Sequence, residues 1–410
     1  MKKGFLVPVI LCASFTCQAN DYFFNPVISA KERYYSNIRL LQNPPQDNWI
    51  STISPGLNFG LRHENGELKS NFTWNQLFYT NQSELNISEQ LFSMGYQHQT
   101  GRLQWGTKGY FNNQSFLNTE GTVLGNVRFS QVMAKQLNIA PTVSYALTEL
   151  SSLSFDYAYN KTTYEKNQNL YLSNYDYHQA SGTFTHLYTE HDKLNATLSS
   201  SRYKAQVQDR TTFNNIAQLG WQHSFSEQLV TYVSAGINYS QTDVSVSPVG
   251  SNRGLPVYRD PVTGFFTDEQ PVVKSNGFGG VYQASIQKSF EKGSVSLVGS
   301  QNQTPTSQGL QTQTQIAINT AYNINERWTS GLSGSYSIYK MPAQQNSQFN
   351  NNRTYASISP NINWKWTPEI NVGLSYTYRQ QEYKSDPQAR EDNSVQLQFT
   401  YQPQTNYQVK

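Results

Sequence analysis

Six glutamates recur in short segments of one pattern, and a recurring acid is a candidate for acid–base chemistry or ligand binding. In each segment an apolar or aromatic residue precedes the acid by one to three positions, and apolar residues follow. The six acids are Glu149, Glu190, Glu227, Glu291, Glu326 and Glu369. Successive acids are 41, 37, 64, 35 and 43 residues apart. A period of about forty residues is typical of a repeated β-hairpin, so these acids are predicted to lie in turns.

Histidines are the other candidates for chemistry, as metal ligands or as a catalytic base. His186 and His191 are separated by four residues, which is half of a common zinc spacing. No cysteine or acidic cluster accompanies them, and the chain has no G-x-S-x-G motif to supply a nucleophile. We therefore predict no catalytic residue, no metal site and no cofactor. The histidines are interpreted as polar residues at a membrane interface.

The first nineteen residues have the features of a secretory signal peptide. Lys2 and Lys3 form a charged end, and residues 5–15 form an apolar stretch that is too short to span a bilayer. Cys17 also permits lipid attachment, but cleavage after Ala19 fits the small residues there better. Both cysteines lie in this segment, so the single domain predicted over 20–410 has no thiol chemistry.

The composition narrows the class of the domain. Charged residues make up 14% of the chain, against roughly 25% in ordinary soluble domains. Aromatic residues also make up 14%, and 28 of them are tyrosines. The absence of a basic run argues against a nucleic-acid partner. Low charge with abundant tyrosine is typical of a transmembrane β-barrel, in which apolar and polar residues alternate, or of a secreted fibrous protein.

Alternation decides between these two classes. In residues 328–338, Trp, Leu, Tyr and Ile share one face with a Ser and a Gly, and the other face carries only Thr, Gly and Ser. Residues 370–378 and 395–401 repeat the pattern. We predict an all-β, transmembrane antiparallel up-and-down barrel of about 18 strands, with 16 as the alternative. The predicted strands are 26–36, 48–62, 67–80, 87–99, 102–114, 126–146, 152–164, 175–188, 193–205, 212–224, 229–242, 276–289, 293–303, 312–323, 328–340, 353–366, 370–384 and 393–403.

The connections differ between the two ends of the predicted barrel. The connections that carry the glutamates are short, whereas the opposite ones, such as 341–352 and 385–392, are longer and polar. Short turns face the periplasm in outer-membrane barrels, which predicts the outer membrane of a Gram-negative bacterium. The longest connection, about 243–275, is predicted to be either a constriction loop over the pore or a simple exposed loop. Its candidate constriction residues are Arg253, Arg259, Asp260, Asp268, Glu269 and Lys274.

The inward positions predict the character of the lumen. By alternation Lys69, Lys108, Asp156 and Arg379 point inward, because a basic residue facing lipid near the midplane costs roughly 2–4 kcal/mol. Two interpretations of these four residues are open. They line a path for a polar solute, or they fill a water-filled interior and pair with nearby side chains. The other inward residues are mostly amides and hydroxyls. This wall is expected to suit a neutral or mildly charged sugar chain better than a strongly charged ion.

Three short segments near the start of the domain carry a family resemblance. They are Pro26-Val27-Ile28, Tyr34-Tyr35-Ser36-Asn37-Ile38 and Trp49-Ile50-Ser51-Thr52-Ile53-Ser54-Pro55-Gly56-Leu57. Together with the turns at Leu147-Thr148-Glu149 and Phe225-Ser226-Glu227, they resemble the EpsL-like barrels associated with exopolysaccharide and exosortase gene clusters. The resemblance runs over most of residues 26–403. It implies export of exopolysaccharide, a periplasmic polysaccharide-export partner, and no catalytic residues.

Three functions remain open at this point. The first is export of a capsule or biofilm exopolysaccharide across the outer membrane, with lipid, polysaccharide and a periplasmic protein as partners. The second is a general or sugar-selective diffusion porin. The third is a structural or adhesive surface barrel. One departure from many outer-membrane barrels is that residues 402–410 follow the last predicted aromatic positions, Phe399 and Tyr401.

Overall fold

The computed structural model describes residues 21–116, 132–165, 172–206, 209–245, 250–252, 255–259, 264–267, 270–340 and 352–403. The predicted signal peptide, residues 1–19, lies outside these ranges. So do residues 126–131 of the predicted sixth strand. Within the described ranges, no helix is long and apolar enough to cross a bilayer.

Eighteen long strands form one antiparallel sheet. They are β1 (Asp21–Tyr35), β2 (Asn48–His63), β3 (Gly66–Tyr79), β4 (Ile87–Thr100), β5 (Leu103–Ser115), β6 (Met133–Ala146), β7 (Ser151–Tyr164), β8 (Tyr175–Leu187), β9 (Asp192–Ala205), β10 (Arg210–Ser226), β11 (Leu229–Ser245), β15 (Val272–Phe290), β16 (Gly293–Thr306), β17 (Gly309–Asn323), β18 (Trp328–Lys340), β19 (Arg353–Lys365), β20 (Ile370–Tyr383) and β21 (Asp386–Tyr401). A separate small sheet holds β12 (Gly250–Asn252), β13 (Leu255–Arg259) and β14 (Phe266–Thr267). The prediction of 18 strands is confirmed, and the alternative of 16 is wrong.

The long sheet closes on itself because β1 pairs with β21 as well as with β2. In the closing register Ile28 lies opposite Tyr401, and Tyr35 lies opposite Ser394. Every other long strand pairs with its two neighbours along the chain. Closure satisfies the backbone donors and acceptors within the sheet, which the hydrocarbon core of a membrane requires.

The outer face of the barrel is apolar and exposed. Leu198 on β9, Leu219 on β10 and Ile237 on β11 are 68%, 70% and 65% exposed. Leu198 and Ile237 share one row, because each lies opposite Ala217. So much aliphatic surface is unfavourable in water and is favourable against acyl chains. The outer face is therefore a lipid-facing band.

Aromatic side chains flank this band near both ends of the strands. Near one end, the rings of Tyr34 and Trp49 are 5.1 Å apart. Near the other end, Trp328 and Trp364 stack with their ring centroids 5.5 Å apart. Aromatic girdles at both membrane interfaces, an even strand number and a closed barrel are features of outer-membrane barrels. The fold is that of an outer-membrane β-barrel.

The two ends of the barrel have different connections, and we call them the turn end and the loop end. The turn end holds Asp21, Tyr401 and eight connections of at most four residues. The loop end holds the long connections, but β16–β17 and β20–β21 are joined there by two residues each. Residues 386–392, predicted to lie in a loop, belong to β21 instead. One ion pair joins the two strands in this charged stretch, Arg379 of β20 with Asp392 of β21 at 2.7 Å. A second, Arg390 with Asp386 at 2.9 Å, pairs two charges within β21 itself.

A charge placed on the lipid-facing band is expected to destabilise the barrel. Leu219→Arg near the middle of β10 should cost about 2–4 kcal/mol of unfolding free energy, because the guanidinium would face hydrocarbon. Gln218→Arg is the matched control, because this neighbour faces the inside and its amide contacts Ser234. Urea titration in liposomes measures both variants. Equal losses in the two would contradict the assignment of faces.

Candidate solute pathway

Residues that alternate with the lipid-facing ones form the inner face of the barrel. Lys69 on β3 and Lys108 on β5 lie in one inner row, two strands apart. Lys69 Nζ is 2.6 Å from Glu67 Oε2. Asp156 lies on the inner face of β7, where Thr142 Oγ1 donates to Asp156 Oδ1 over 2.7 Å. These charges therefore lie along one side of the interior.

Arg379 lies on another part of the wall and contacts none of these three residues. Its Nε and Nη2 atoms donate to Asp392 Oδ2 over 3.0 and 2.7 Å. The other carboxylate oxygen of Asp392 accepts the backbone N–H of Asn37 over 2.8 Å. Asp392 is fully buried. The ion pair thus ties β20 and β21 to the loop that follows β1.

Neutral polar side chains form much of the remaining inner wall. Ser335 and Ser357 share a hydrogen bond of 3.0 Å across β18 and β19. Gln396 Nε2 donates to Gln398 Oε1 over 3.3 Å along β21. Amides and hydroxyls both donate and accept, so these rows can exchange partners with water or with a polar solute.

Basic side chains that the sequence analysis did not single out also lie on the inner face, near the loop end. They are Lys31, Arg33, Arg210, Arg353 and Arg390. With Arg379 they outnumber the acids of the same region among the described strand residues, which are Glu89, Asp386 and Asp392. Alternation along the first strand contains part of the signal for two of them: Lys31 and Arg33 alternate with Ala30, Glu32 and Tyr34 on the outer face, and the charged Glu32 weakens the pattern.

Three of these basic residues and two tyrosines of the same inner face form a group that we call the cation–tyrosine wall: Lys31, Arg33, Arg379, Tyr35 and Tyr355. The ring of Tyr35 lies between two guanidinium groups, with Arg33 Cζ at 5.5 Å and Arg379 Cζ at 5.3 Å from its centroid. Arg33 Nη1 also donates to the Tyr35 hydroxyl over 2.7 Å. Cation–π contacts of this length hold the guanidinium planes in place.

The β16–β17 hairpin ends in a segment, residues 305–310, that we call the tip. The tip folds inward and contacts β9 and β10, although β11, β15 and β16 separate β10 from β17 around the barrel. Tyr203 Oη donates to the carbonyl oxygen of Thr306 over 2.8 Å, and Arg210 Nη1 donates to that of Gln308 over 2.9 Å. The tip therefore narrows the loop end of the pathway.

Apolar packing and a glycine shape the tip. Leu310 joins a buried cluster with Tyr175, Tyr177 and Tyr203 on the inner wall. Gly309 has a φ of 127°, and a Cβ there would lie 2.7 Å from Arg210 Nη1. Only glycine allows both this backbone conformation and the close approach of the arginine.

The connection between β1 and β2 also folds inward. Ile38 packs against the buried cluster of Ile50, Leu77 and Tyr79 on the inner wall. Leu40, with a φ of 48°, is buried to 3% exposure. This connection and the tip narrow the loop end from two sides.

The structure places only part of the predicted constriction loop. Arg253, Asp260, Asp268 and Glu269 lie outside the described residues. Arg259 is exposed, and its Nε donates to the carbonyl oxygen of Gly264 over 3.2 Å. Lys274 lies on the outer face of β15, opposite Asp243. Within the described residues, the tip and the β1–β2 connection narrow the mouth, and the sequence analysis treated both as ordinary connections.

All six predicted turn acids lie in connections at the turn end: Glu149, Glu190, Glu227, Glu291, Glu326 and Glu369. The first five are exposed, and Glu369 is half-buried with a hydrogen bond of 3.0 Å from Thr367. They form a charged rim around that end of the barrel.

The residue that closes most of these turns precedes the acid. Thr148, Thr189 and Ser226 each accept backbone N–H groups two and three residues later through their hydroxyl oxygen. Thr367 does the same, and Asn325 accepts the corresponding N–H groups through its amide oxygen. The signal was present in the sequence as a hydroxyl or amide residue one or two places before each of these five acids. Side chains of this type stabilise turns by replacing a missing backbone partner.

The histidines lie mostly in the interfacial region of the turn end. His223 Nδ1 and Trp221 Nε1 both lie within 2.9 Å of Asp192 Oδ1. His63 and His98 lie beside Tyr96, with ring centroids 5.6 Å apart between the two histidines. Across the described ranges, no group of three or more His, Cys, Asp or Glu side chains is placed to hold a metal ion.

No family model matches the chain, and no curated protein matches it either.

Solved structures of outer-membrane proteins are similar to it at low identity. The open form of the ferric-catecholate import receptor Fiu of E. coli K12 is 9% identical, with a TM-score of 0.48 over 92% of this chain and 81% of that one. The outer-membrane channel DcaP of Acinetobacter baumannii is 13% identical, with a TM-score of 0.43 over 94% and 97% of the two chains. OpdO of Pseudomonas aeruginosa is 8% identical, with a TM-score of 0.45 over 93% and 97%.

Proposed function

We propose that this outer-membrane barrel conducts exopolysaccharide out of the cell, as part of a capsule or biofilm secretion system. The observation that carries the proposal is the inner wall, where amide and hydroxyl side chains form hydrogen-bonded rows. A sugar chain presents hydroxyls along its whole length, and such rows offer it donors and acceptors at every step. Many weak contacts favour movement over tight binding, as conduction requires.

The narrowed loop end fits an export barrel that is closed at rest. The tip and the β1–β2 connection keep the mouth narrow at rest, and a polymer arriving from the periplasm would displace them. The exposed turn acids offer a charged surface at the opposite end. A periplasmic polysaccharide-export protein with a basic rim is the partner that this surface suits.

A diffusion porin for small solutes or oligosaccharides is the second candidate. One observation favours it: the described contacts of the tip are hydrogen bonds and one small apolar cluster. Contacts of this kind break and re-form in thermal motion, so the mouth can open without a polymer that displaces the tip.

Conductance and polymer output together test the proposal. For an export barrel we expect low conductance in planar bilayers, and accumulation of polymer in the periplasm when the gene is deleted in a polymer-producing strain. A porin would instead show large steady conductance, swelling of liposomes in sugar solutions and unchanged polymer output. A surface protein that shows neither conductance nor polymer trapping contradicts both functions.

A further inference from the structure

We infer that the cation–tyrosine wall binds acidic sugar units, so that the conducted chain carries oxyanion substituents such as carboxylates. This inference rests on the proposed function and narrows its substrate. It departs from the neutral or mildly charged sugar chain that the sequence analysis favoured, because the structure adds bases to the inner face near the mouth.

Charge balance is the first argument. Lys31, Arg33 and Arg379 lie on the inner face of β1 and β20, on either side of β21. Asp392 is the acid that faces them from β21, and its two oxygens are used by Arg379 and by the backbone of Asn37. Glu89 on the inner face of β4 interacts electrostatically with Lys31, so the three cations are opposed by two acids. Neither Lys31 nor Arg33 has a carboxylate within 4.0 Å among the described residues. The wall therefore carries excess positive charge.

The confinement of these charges strengthens their effect. The side chain of Arg379 is 15% exposed, and the barrel wall behind it faces lipid. Field lines concentrate in a cleft with low-dielectric walls, and the local concentration of anions rises there. An anion bound at the wall would also offset the repulsion among the cations.

Recognition of the sugar itself is the second and independent argument. Tyr355 presents an aromatic ring on the same inner wall, and apolar faces of sugar rings pack on such surfaces. The ring of Tyr35 is covered by the guanidinium groups of Arg33 and Arg379 and serves to hold these cations in place. Gln396 and Gln398 lie opposite Arg33 and Lys31 in register. Their amides can bind hydroxyls while the cations bind the oxyanion. One wall thus carries partners for the charge and for the neutral part of an acidic sugar.

Two probes test the inference on the full-length protein in planar bilayers: oligogalacturonate, which carries a carboxylate on every unit, and neutral malto-oligosaccharide of matched length. We expect oligogalacturonate to block the current at lower concentration. In Lys31→Gln/Arg33→Gln the blocking concentration should rise by at least about tenfold, since each charge-assisted hydrogen bond contributes about 1.5–3 kcal/mol. Dextran sulfate, as a third probe, tells whether carboxylates are preferred over sulfates.

The barrel supplies its own control for this variant. Arg202 and Lys204 have the same spacing as the wall residues and lie near the same end of β9, but on the outer face. Arg202→Gln/Lys204→Gln should leave the block unchanged. Arg33→Lys, which keeps the charge, should retain most of the preference.

The outcomes separate this inference from the proposed function. Equal block by the acidic and neutral probes, or an unchanged block in Lys31→Gln/Arg33→Gln, would overturn the inference and leave the polysaccharide channel standing. Unchanged polymer output when the gene is deleted in a polymer-producing strain would overturn the proposed function as well. A preference for the acidic probe that the variant abolishes supports the inference.

Discussion

Arg210→Ala is expected to raise the open probability of the channel by about tenfold or more. The guanidinium of Arg210 donates to the carbonyl oxygen of Gln308 over 2.9 Å and holds the tip against β10. A hydrogen bond to a charged group contributes about 1.5–3 kcal/mol, and each 1.4 kcal/mol is about a tenfold change in the equilibrium. Single-channel recording at fixed voltage measures the open probability.

Smaller changes at the same contact should follow in order. Tyr203→Phe removes one neutral hydrogen bond, to the carbonyl oxygen of Thr306. The factor by which it raises the open probability should be several-fold smaller than the factor for Arg210→Ala. Arg202→Ala is the matched control on the outer face of β9, and no change is expected from it.

A crosslink tests the tip without removing any contact. The backbone N–H of Ser173 donates to the carbonyl oxygen of Ser307 over 3.3 Å, which brings the two residues within reach of a disulfide. Residues 20–410 contain no cysteine, so Ser173→Cys/Ser307→Cys introduces the only pair in that range. We expect a low conductance when this pair is oxidised and a rise on reduction. If oxidation and reduction give the same conductance, the tip does not control the pathway.

Asp392→Ala is expected to lower the free energy of unfolding by about 3 kcal/mol or more. Breaking a buried ion pair leaves an uncompensated charge, and such losses are typically about 3–5 kcal/mol. Here the charge left behind is Arg379, and the backbone N–H of Asn37 loses its acceptor too. Urea titration in liposomes gives the unfolding free energy, and the temperature of heat-modified gel migration gives an independent measure.

Two further variants separate charge from shape at this ion pair. Asp392→Asn keeps an acceptor for Asn37 and should lose less stability than Asp392→Ala. Arg379→Met/Asp392→Leu removes both charges and should recover much of the loss, because an apolar pair of similar volume needs no compensation. An Asp392→Ala variant that unfolds at the wild-type urea concentration would contradict the role of the pair.

The fold could be predicted from the sequence because the membrane enforces alternation. A residue on the lipid face must be apolar, so stretches such as 328–338 display the period of two directly. The prediction failed at residues 386–392 because it treated clustered charges as loop residues. Asp386, Arg390 and Asp392 instead point inward, where their partners are cations or anions on the same or the neighbouring strand.

The candidate site could be predicted only in part. Alternation assigns Lys69, Lys108, Asp156 and Arg379 to the inside, and the register of the strands agrees with these positions. The inward fold of the tip depends on contacts with β9 and β10, which lie about a hundred residues earlier in the chain. Local patterns carry no information about such contacts. For the same reason the meeting of Arg33 and Arg379 at the ring of Tyr35 had no signal in the sequence.

The turns that a side-chain oxygen closes have a consequence for making barrels with fewer or more strands from this chain. In each such turn a side-chain oxygen accepts the backbone N–H groups two and three residues later. The turn itself therefore sets the register of its hairpin. A two-strand unit bounded by these turns therefore brings its alignment with it when it is inserted or removed. Because barrel diameter grows with strand number, the width of the pore becomes adjustable in steps of one hairpin. Deleting β18, β19 and one of the two turns that flank them, for example, is a direct route to a narrower barrel that keeps the tip.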